Sequence, residues 1–175
     1  SGSASAGMWP NMRVWVNGTL IGETAVGDGT VPPQTGTNIY SAPADYSFTF
    51  TAPVGQRLIV DVAFTNDAYE NGQDRNLVIE SLRLPERGLT LPANNPAAPF
   101  YQGQLPPNVA AANTVRGNVQ GGIYWTGTFR FSTEYFLVGP PNSSSCPGAN
   151  YTTVGAALQA AAADDIILIC PGTYN

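Results

Sequence analysis

Asp67, Glu70, Asn71 and Asp74 stand close together in a chain otherwise poor in charge, where charged residues make up only 11% of the total. Carboxylates and amide oxygens crowded into one loop are the donor set that a hard cation such as calcium takes. The order of residues even begins like a calcium loop, with Asp67 first, Asn71 fifth and Gly72 sixth. Tyr69 in the third place and Val78 in the twelfth exclude an EF-hand. The same residues also suit a plain polar hairpin loop whose Asp and Asn side chains bond their own backbone. Residue types alone leave both readings open.

Such a loop needs rigid flanks. Leu58, Val60, Val62 and Phe64 alternate along a strand leading in, with Asp61 and Thr65 on its other face. Residues 77–84 read as its antiparallel partner leading out. Upstream, residues 12–16 alternate into Asn17-Gly18 and continue at residues 19–26; Asn-Gly between apolar runs is a strong hairpin signal. Residues 27–43 form a long Gly-, Pro- and Thr-rich loop carrying Asp28 and Tyr40, and loops of that length are commonly functional or disordered. Tyr46, Phe48 and Phe50 alternate as a half-buried strand, and residues 52–55 turn the chain. Pro92, Pro96, Pro99, Pro106 and Pro107 forbid central strands across residues 86–119. Gly121-Gly122 precedes residues 123–131, where Trp125, Phe129 and Phe131 share one face, and residues 134–138 add a last short strand. The pattern predicts an all-β, antiparallel β-sandwich of jelly-roll type over residues 8–138. Residues 1–7 are small and read as a tag or linker outside the fold.

Composition removes whole classes of function. A net charge of −5 argues against nucleic acid, whose phosphates call for a basic surface. The chain has no His, and its seven basic residues are all Arg. Ser-His-Asp and Cys-His catalysis, His-ligated zinc, a P-loop lysine and a Schiff-base lysine are therefore excluded. No apolar run approaches membrane-spanning length. Paired carboxylates for glycoside hydrolysis are present by count, but they gather in one loop instead of facing each other across a cleft.

The segment Val62-Ala63-Phe64-Thr65-Asn66-Asp67-Ala68-Tyr69, followed by Asp74-Arg75-Asn76-Leu77-Val78-Ile79, resembles the signature of calcium-dependent xylan-binding carbohydrate-binding modules, families thirty-six and sixty. Val14-x-Val16-Asn17-Gly18 with Gly22-Glu23, and the run from Gly122 to Phe131, extend the resemblance over most of residues 12–131. It implies a β-sandwich that binds a β-linked plant polysaccharide, usually xylan, through a protein-held Ca2+ ligated directly by vicinal sugar hydroxyls. By position, Asp67 and Asp74 would be the carboxylate ligands, with carbonyls around Asn71 to Gln73 completing the shell. Glu23 matches a position able to reach the same ion, and equally reads as a solvated strand-end charge. Glu70 is left outside the shell. Arg75 is expected to pair with a neighbouring carboxylate and orient it. Tyr69, Tyr40 and Trp125 are candidate sugar platforms; the shared face with Phe129 and Phe131 assigns Trp125 to the core first.

Beyond residue 138 the composition changes. Residues 139–149 read as a linker. Val154, Ala157, Leu158 and Ala161 then recur at helical spacing with Thr152 or Thr153 as N-cap, and residues 166–170 form an apolar strand ahead of Pro171-Gly172. Residues 150–175 resemble the opening turn of right-handed parallel β-helix proteins of the pectate-lyase-like superfamily, cut after one rung. Cys146 and Cys170 flank this appendage, and a disulfide between them is expected in a secreted chain, worth about 3 kcal/mol. The expectation is a secreted, non-catalytic, calcium-dependent module that binds polysaccharide, touches neither nucleic acid nor membrane, and targets a downstream β-helix domain. The rival readings are a structural or adhesive sandwich in which calcium only rigidifies the loop, and an enzyme using carboxylates of the sandwich itself.

Overall fold

In the computed structural model the described residues are 1–33, 35–52, 57–87, 89–93, 100–109, 115–116, 122–133, 135–139, 149, 151–161, 166–170 and 172–174. The chain divides into two compact units, Ser1–Phe131 and Ser132–Asn175. The first is an antiparallel sandwich. Its strands are β1 (Gly2–Ser3), β2 (Asn11–Val16), β3 (Thr19–Ala25), β4 (Ile59–Phe64), β5 (Tyr69–Glu70), β6 (Gln73–Asp74), β7 (Asn76–Val78), β8 (Ser81–Leu84), β9 (Leu89–Pro92), β10 (Phe100–Gln102), β11 (Val115–Arg116), β12 (Gly122–Ile123) and β13 (Gly127–Ser132).

One sheet runs β11-β10-β13-β4-β2-β3 and the other β1-β7-β12. The Asn17-Gly18 hairpin forms as expected. Both residues take positive φ (49° and 80°), which the tight turn between β2 and β3 requires. Met12, Val14 and Val16 pair with Phe64, Val62 and Val60 across β2 and β4, so one face of both strands turns inward together. Phe100, Phe129 and Phe131 join that face, and Leu77 and Ile123 meet it from the second sheet. Trp15, Asp61 and Arg130 lie on the opposite face of the large sheet. Asp61 is nevertheless buried: Arg130 holds it through two hydrogen bonds, Nε to Oδ1 at 2.7 Å and Nη2 to Oδ2 at 2.9 Å, and stacks over Tyr101 at 5.7 Å.

Four expectations are corrected. Residues 77–84 are not one strand paired with β4; β4 lies between β2 and β13, β7 pairs with β1 and β12, and β8 pairs with β9. Tyr46, Phe48 and Phe50 do alternate in burial and pack on the core, but in an extended segment outside any ladder. Residues 1–7 are no appendage: β1 pairs with β7, Ser3 and Ser5 are buried, and the Ser1 ammonium donates to the Val78 carbonyl. Lastly, β14 (Tyr135–Val138) belongs to the second unit, because it pairs in parallel with β15 (Ile166–Ile169).

In that second unit the connection between the parallel strands carries helix α1 (Val154–Ala160), capped by the Thr153 side chain, which accepts from the Ala156 N–H. Cys170 is disulfide-bonded. Cys146 and the expected linker, apart from Gly139 and Ala149, lie outside the described residues, as does the expected turn beyond Ala52.

Candidate functional site

The segment joining β4 to β7 folds back as a two-strand hairpin, β5 and β6, with Tyr69 opposite Asp74 and Glu70 opposite Gln73. Asn71 and Gly72 form its tip, with positive φ at both. The Arg75 N–H donates to the Ala68 carbonyl at 2.8 Å and closes the base. Asp67, just before β5, and Asp74, at the end of β6, therefore meet at that base. Two ties fix the approach: Asn66 Oδ1 accepts from the Asn11 N–H at 2.6 Å, and Asn66 Nδ2 donates to the Trp9 carbonyl at 3.0 Å.

Both carboxyls are raised above the ordinary carboxylate range. Burial is the first cause at each, and the charge of Asp67 adds to it at Asp74. Part of that is countered: Asp67 accepts the backbone N–H groups of Ala68 and Thr126, and Arg75 lends it positive charge. Asp74 accepts from Asn76, 3.1 Å away when the Asn76 amide nitrogen faces it. Two partly buried like charges at one spot are held less easily than free carboxylates, and a bound cation reverses that cost.

Arg75 does not form the expected carboxylate pair. It is buried and gives its guanidinium donors to three backbone carbonyls, those of Ser5, Met8 and Asn66, while its charge acts on Asp67 from nearby. Glu23 is not brought to the aspartates either. On β3 it faces Arg13 across the ladder, so Arg13 (Nε–Oε2 2.9 Å) and Asn11 Nδ2 (2.6 Å) engage its carboxylate. Their hydrogen bonds hold its carboxyl below the ordinary range. Asn71 sits at the hairpin tip, away from the base. Gln73, 1% exposed, points to the opposite face from Asp74, since successive strand residues alternate. Its side chain bonds residues 35 and 37, and its carbonyl accepts the Ser5 hydroxyl at 2.9 Å. Among the described residues no group of three or more Asp, Glu, His or Cys side chains converges on one point. The protein thus offers two carboxylates, with carbonyls, water and ligand hydroxyls left to fill a shell. That suits calcium, which accepts six to eight oxygens in loose geometry.

The aromatics fall where a sugar could reach them. Tyr69, on the hairpin, is 74% exposed. Trp125 is not in the core as its spacing with Phe129 and Phe131 suggested. Strand β13 starts only at Gly127, so Trp125 lies in the preceding bend, 39% exposed and edge-to-face against Tyr124. The Thr126 N–H bond to Asp67 sets this bend beside the carboxylates. Tyr40 is exposed and bridges to Ser3 at the end of the loop that touches Asp74 through Asn38. The sequence reading missed Tyr124, and Ile123-Tyr124-Trp125 ahead of Thr126-Gly127 was the signal for an aromatic turn.

Residues 1–96 match the family profile of CBM60, the Ca-dependent carbohydrate-binding module, xylan-binding. The chain belongs to this family. It is a carbohydrate-binding module of antiparallel β-sandwich fold, and the matched part is a binding domain and not a catalytic one. No curated protein matches it. The module is also similar to a solved structure, vCBM60 in complex with galactobiose, at 21% identity and a TM-score of 0.45, covering 74% of this chain and 90% of the other. The family match begins at residue 1, in keeping with the burial of β1.

Proposed function

We propose that the module binds a β-linked, xylan-like polysaccharide through calcium held by Asp67 and Asp74. The carrying observation is the meeting of these two raised carboxyls at the base of the β5–β6 hairpin, beside exposed Tyr69, Tyr124 and Trp125. When bound, the ion would supply open coordination positions that the vicinal hydroxyls of a pyranose can fill. Asp67 and Asp74 hold it, the Thr126 N–H and Asn76 orient their oxygens, and the aromatic faces stack on the apolar face of the ring. Two carboxylates would supply only part of the six to eight oxygens that calcium takes, and carbonyls, water and sugar hydroxyls would supply the rest. The disulfide at Cys170 supports a secreted protein. The parallel β14–β15 pair supports a second unit of parallel β-helix type, to whose substrate the module would direct it.

Affinity electrophoresis on xylan, with calcium, magnesium or chelator in parallel gels, tests the reading. Retardation is expected with calcium, sharply reduced with magnesium, which demands octahedral geometry and gives up water reluctantly, and lost with chelator. Retardation that survives chelation in a still-folded protein assigns calcium a structural role and rejects direct ligation.

A further inference from the structure

We propose that Gln73 is a positioning residue that latches the loop of residues 35–38 against the aspartate hairpin and so sets the cation affinity of the module. The inference rests on the calcium reading above and names a residue that touches neither ion nor sugar. The Gln73 side chain is almost fully buried, and both ends of its amide are used. Oε1 accepts from the Thr35 N–H at 3.1 Å, and Nε2 donates to the Thr37 carbonyl at 2.8 Å. This pair of bonds copies a strand ladder where no strand is present. Backbone packing matches it: a Cβ on Gly72 would lie 3.2 Å from the Gly36 carbonyl oxygen, so the loop rests directly on the hairpin tip.

The latch reaches the carboxylates through one further residue. Asn38 Oδ1 accepts from the Asp74 N–H at 2.7 Å, and Asn38 Nδ2 lies 3.3 Å from the Asn76 amide oxygen when Asn76 donates to Asp74. Thr35, Thr37 and Asn38 otherwise belong to an exposed loop, and such a loop pays conformational entropy for every ordered residue. Fixing it by a buried amide keeps Asn38 in place before any ion arrives. Residues that orient metal ligands from behind typically cost 10- to 100-fold in metal affinity when lost.

The test measures hydrogen exchange and calorimetric calcium affinity on the full chain carrying Gln73→Met, which keeps volume but removes both bonds. Asn38→Ala reaches the same contact from a half-buried position should Gln73→Met fold poorly, and Val16→Ala, at the far end of β2, serves as a core-destabilised control. In chelator, Gln73→Met should lose exchange protection at Thr35 and Asp74. Calcium Kd should rise about 10- to 100-fold in Gln73→Met and Asn38→Ala and stay unchanged in Val16→Ala. Unaltered protection at Asp74 overturns the latch, and lost protection with wild-type calcium affinity overturns the positioning role. A wild-type protein that takes up no calcium overturns the functional reading and the positioning role with it, while the exchange data still decide whether the latch exists.

Discussion

The carboxylate of Asp67 accepts the backbone N–H of Thr126 and so ties the bend carrying Tyr124 and Trp125 to the aspartate hairpin. One bond between distant parts of the chain thereby joins the candidate cation ligands to the candidate sugar platform.

Asp67→Asn and Asp74→Asn should each abolish measurable calcium uptake while the protein stays folded, because only two carboxylates converge among the described residues and neither has a deputy. Isothermal calorimetry checks this, with an undiminished binding heat in both variants removing the hairpin as the site.

Tyr69→Ala and Trp125→Ala should weaken binding of xylan oligosaccharides by about 1 kcal/mol each, roughly the worth of an aromatic contact, with calcium affinity intact. Tyr124→Ala should act in the same direction through its edge-to-face contact with Trp125. Titration with oligosaccharide in saturating calcium reads the effect, and a calcium Kd that shifts along with the sugar Kd would contradict the division of labour.

The chelator-treated protein should lose stability as pH rises through the range just above ordinary carboxylate values. Asp67 and Asp74 are raised in the folded state, first by burial, so between the unfolded and folded pKa the native protein holds protons that the unfolded chain has released. By linkage, unfolding free energy falls with rising pH across that interval and stays lowered above it. Both groups are partly solvated, which keeps the effect small. Thermal melts against pH should show it, flattened by Asp67→Asn or Asp74→Asn; a melting temperature that climbs through the same window would refute the sign.

Asp61→Ala should cost about 3–5 kcal/mol, since it leaves the largely buried Arg130 guanidinium with only partial compensation on the outer face of the large sheet. Replacing both residues by apolar side chains should recover much of that loss. Urea denaturation measures both, and calcium affinity should not change.

How much of this was legible in sequence depends on what each residue answers to. The Asn17-Gly18 hairpin and the β4 alternation were readable because turn chemistry and period-two burial are local. The gathering of Asp67 and Asp74 followed from a loop pinned at both ends. Glu23 was misplaced because its partner, Arg13, is chosen by strand register, which the one-dimensional pattern does not fix. Gln73 was misread because its burial depends on residues 35–37 folding over it. Trp125 was drawn into the core by extrapolating a strand two residues past its start. Residues 1–7 looked dispensable because small polar residues carry no hydrophobic signal, although their backbone supplies a strand.

That first strand has a kinetic meaning. β1 is held between Tyr40–Ser41 on one side and β7 on the other, through the Ser3–Tyr40 bridge, the reciprocal Gly2 and Ser41 bonds, and the ladder to Asn76 and Leu77. A chain emerging amino end first makes these residues before anything they pair with. Tyr40 and Ser41 follow first, but the ladder to Asn76 and Leu77 waits until β7 is synthesised, and closing so long a loop is entropically slow. Within the module this early-made strand thus waits on a late-made one, and Ser3, whose hydroxyl donates to the Asp74 carbonyl and accepts the Asn76 N–H, can close the back of the aspartate hairpin only once β7 is in place.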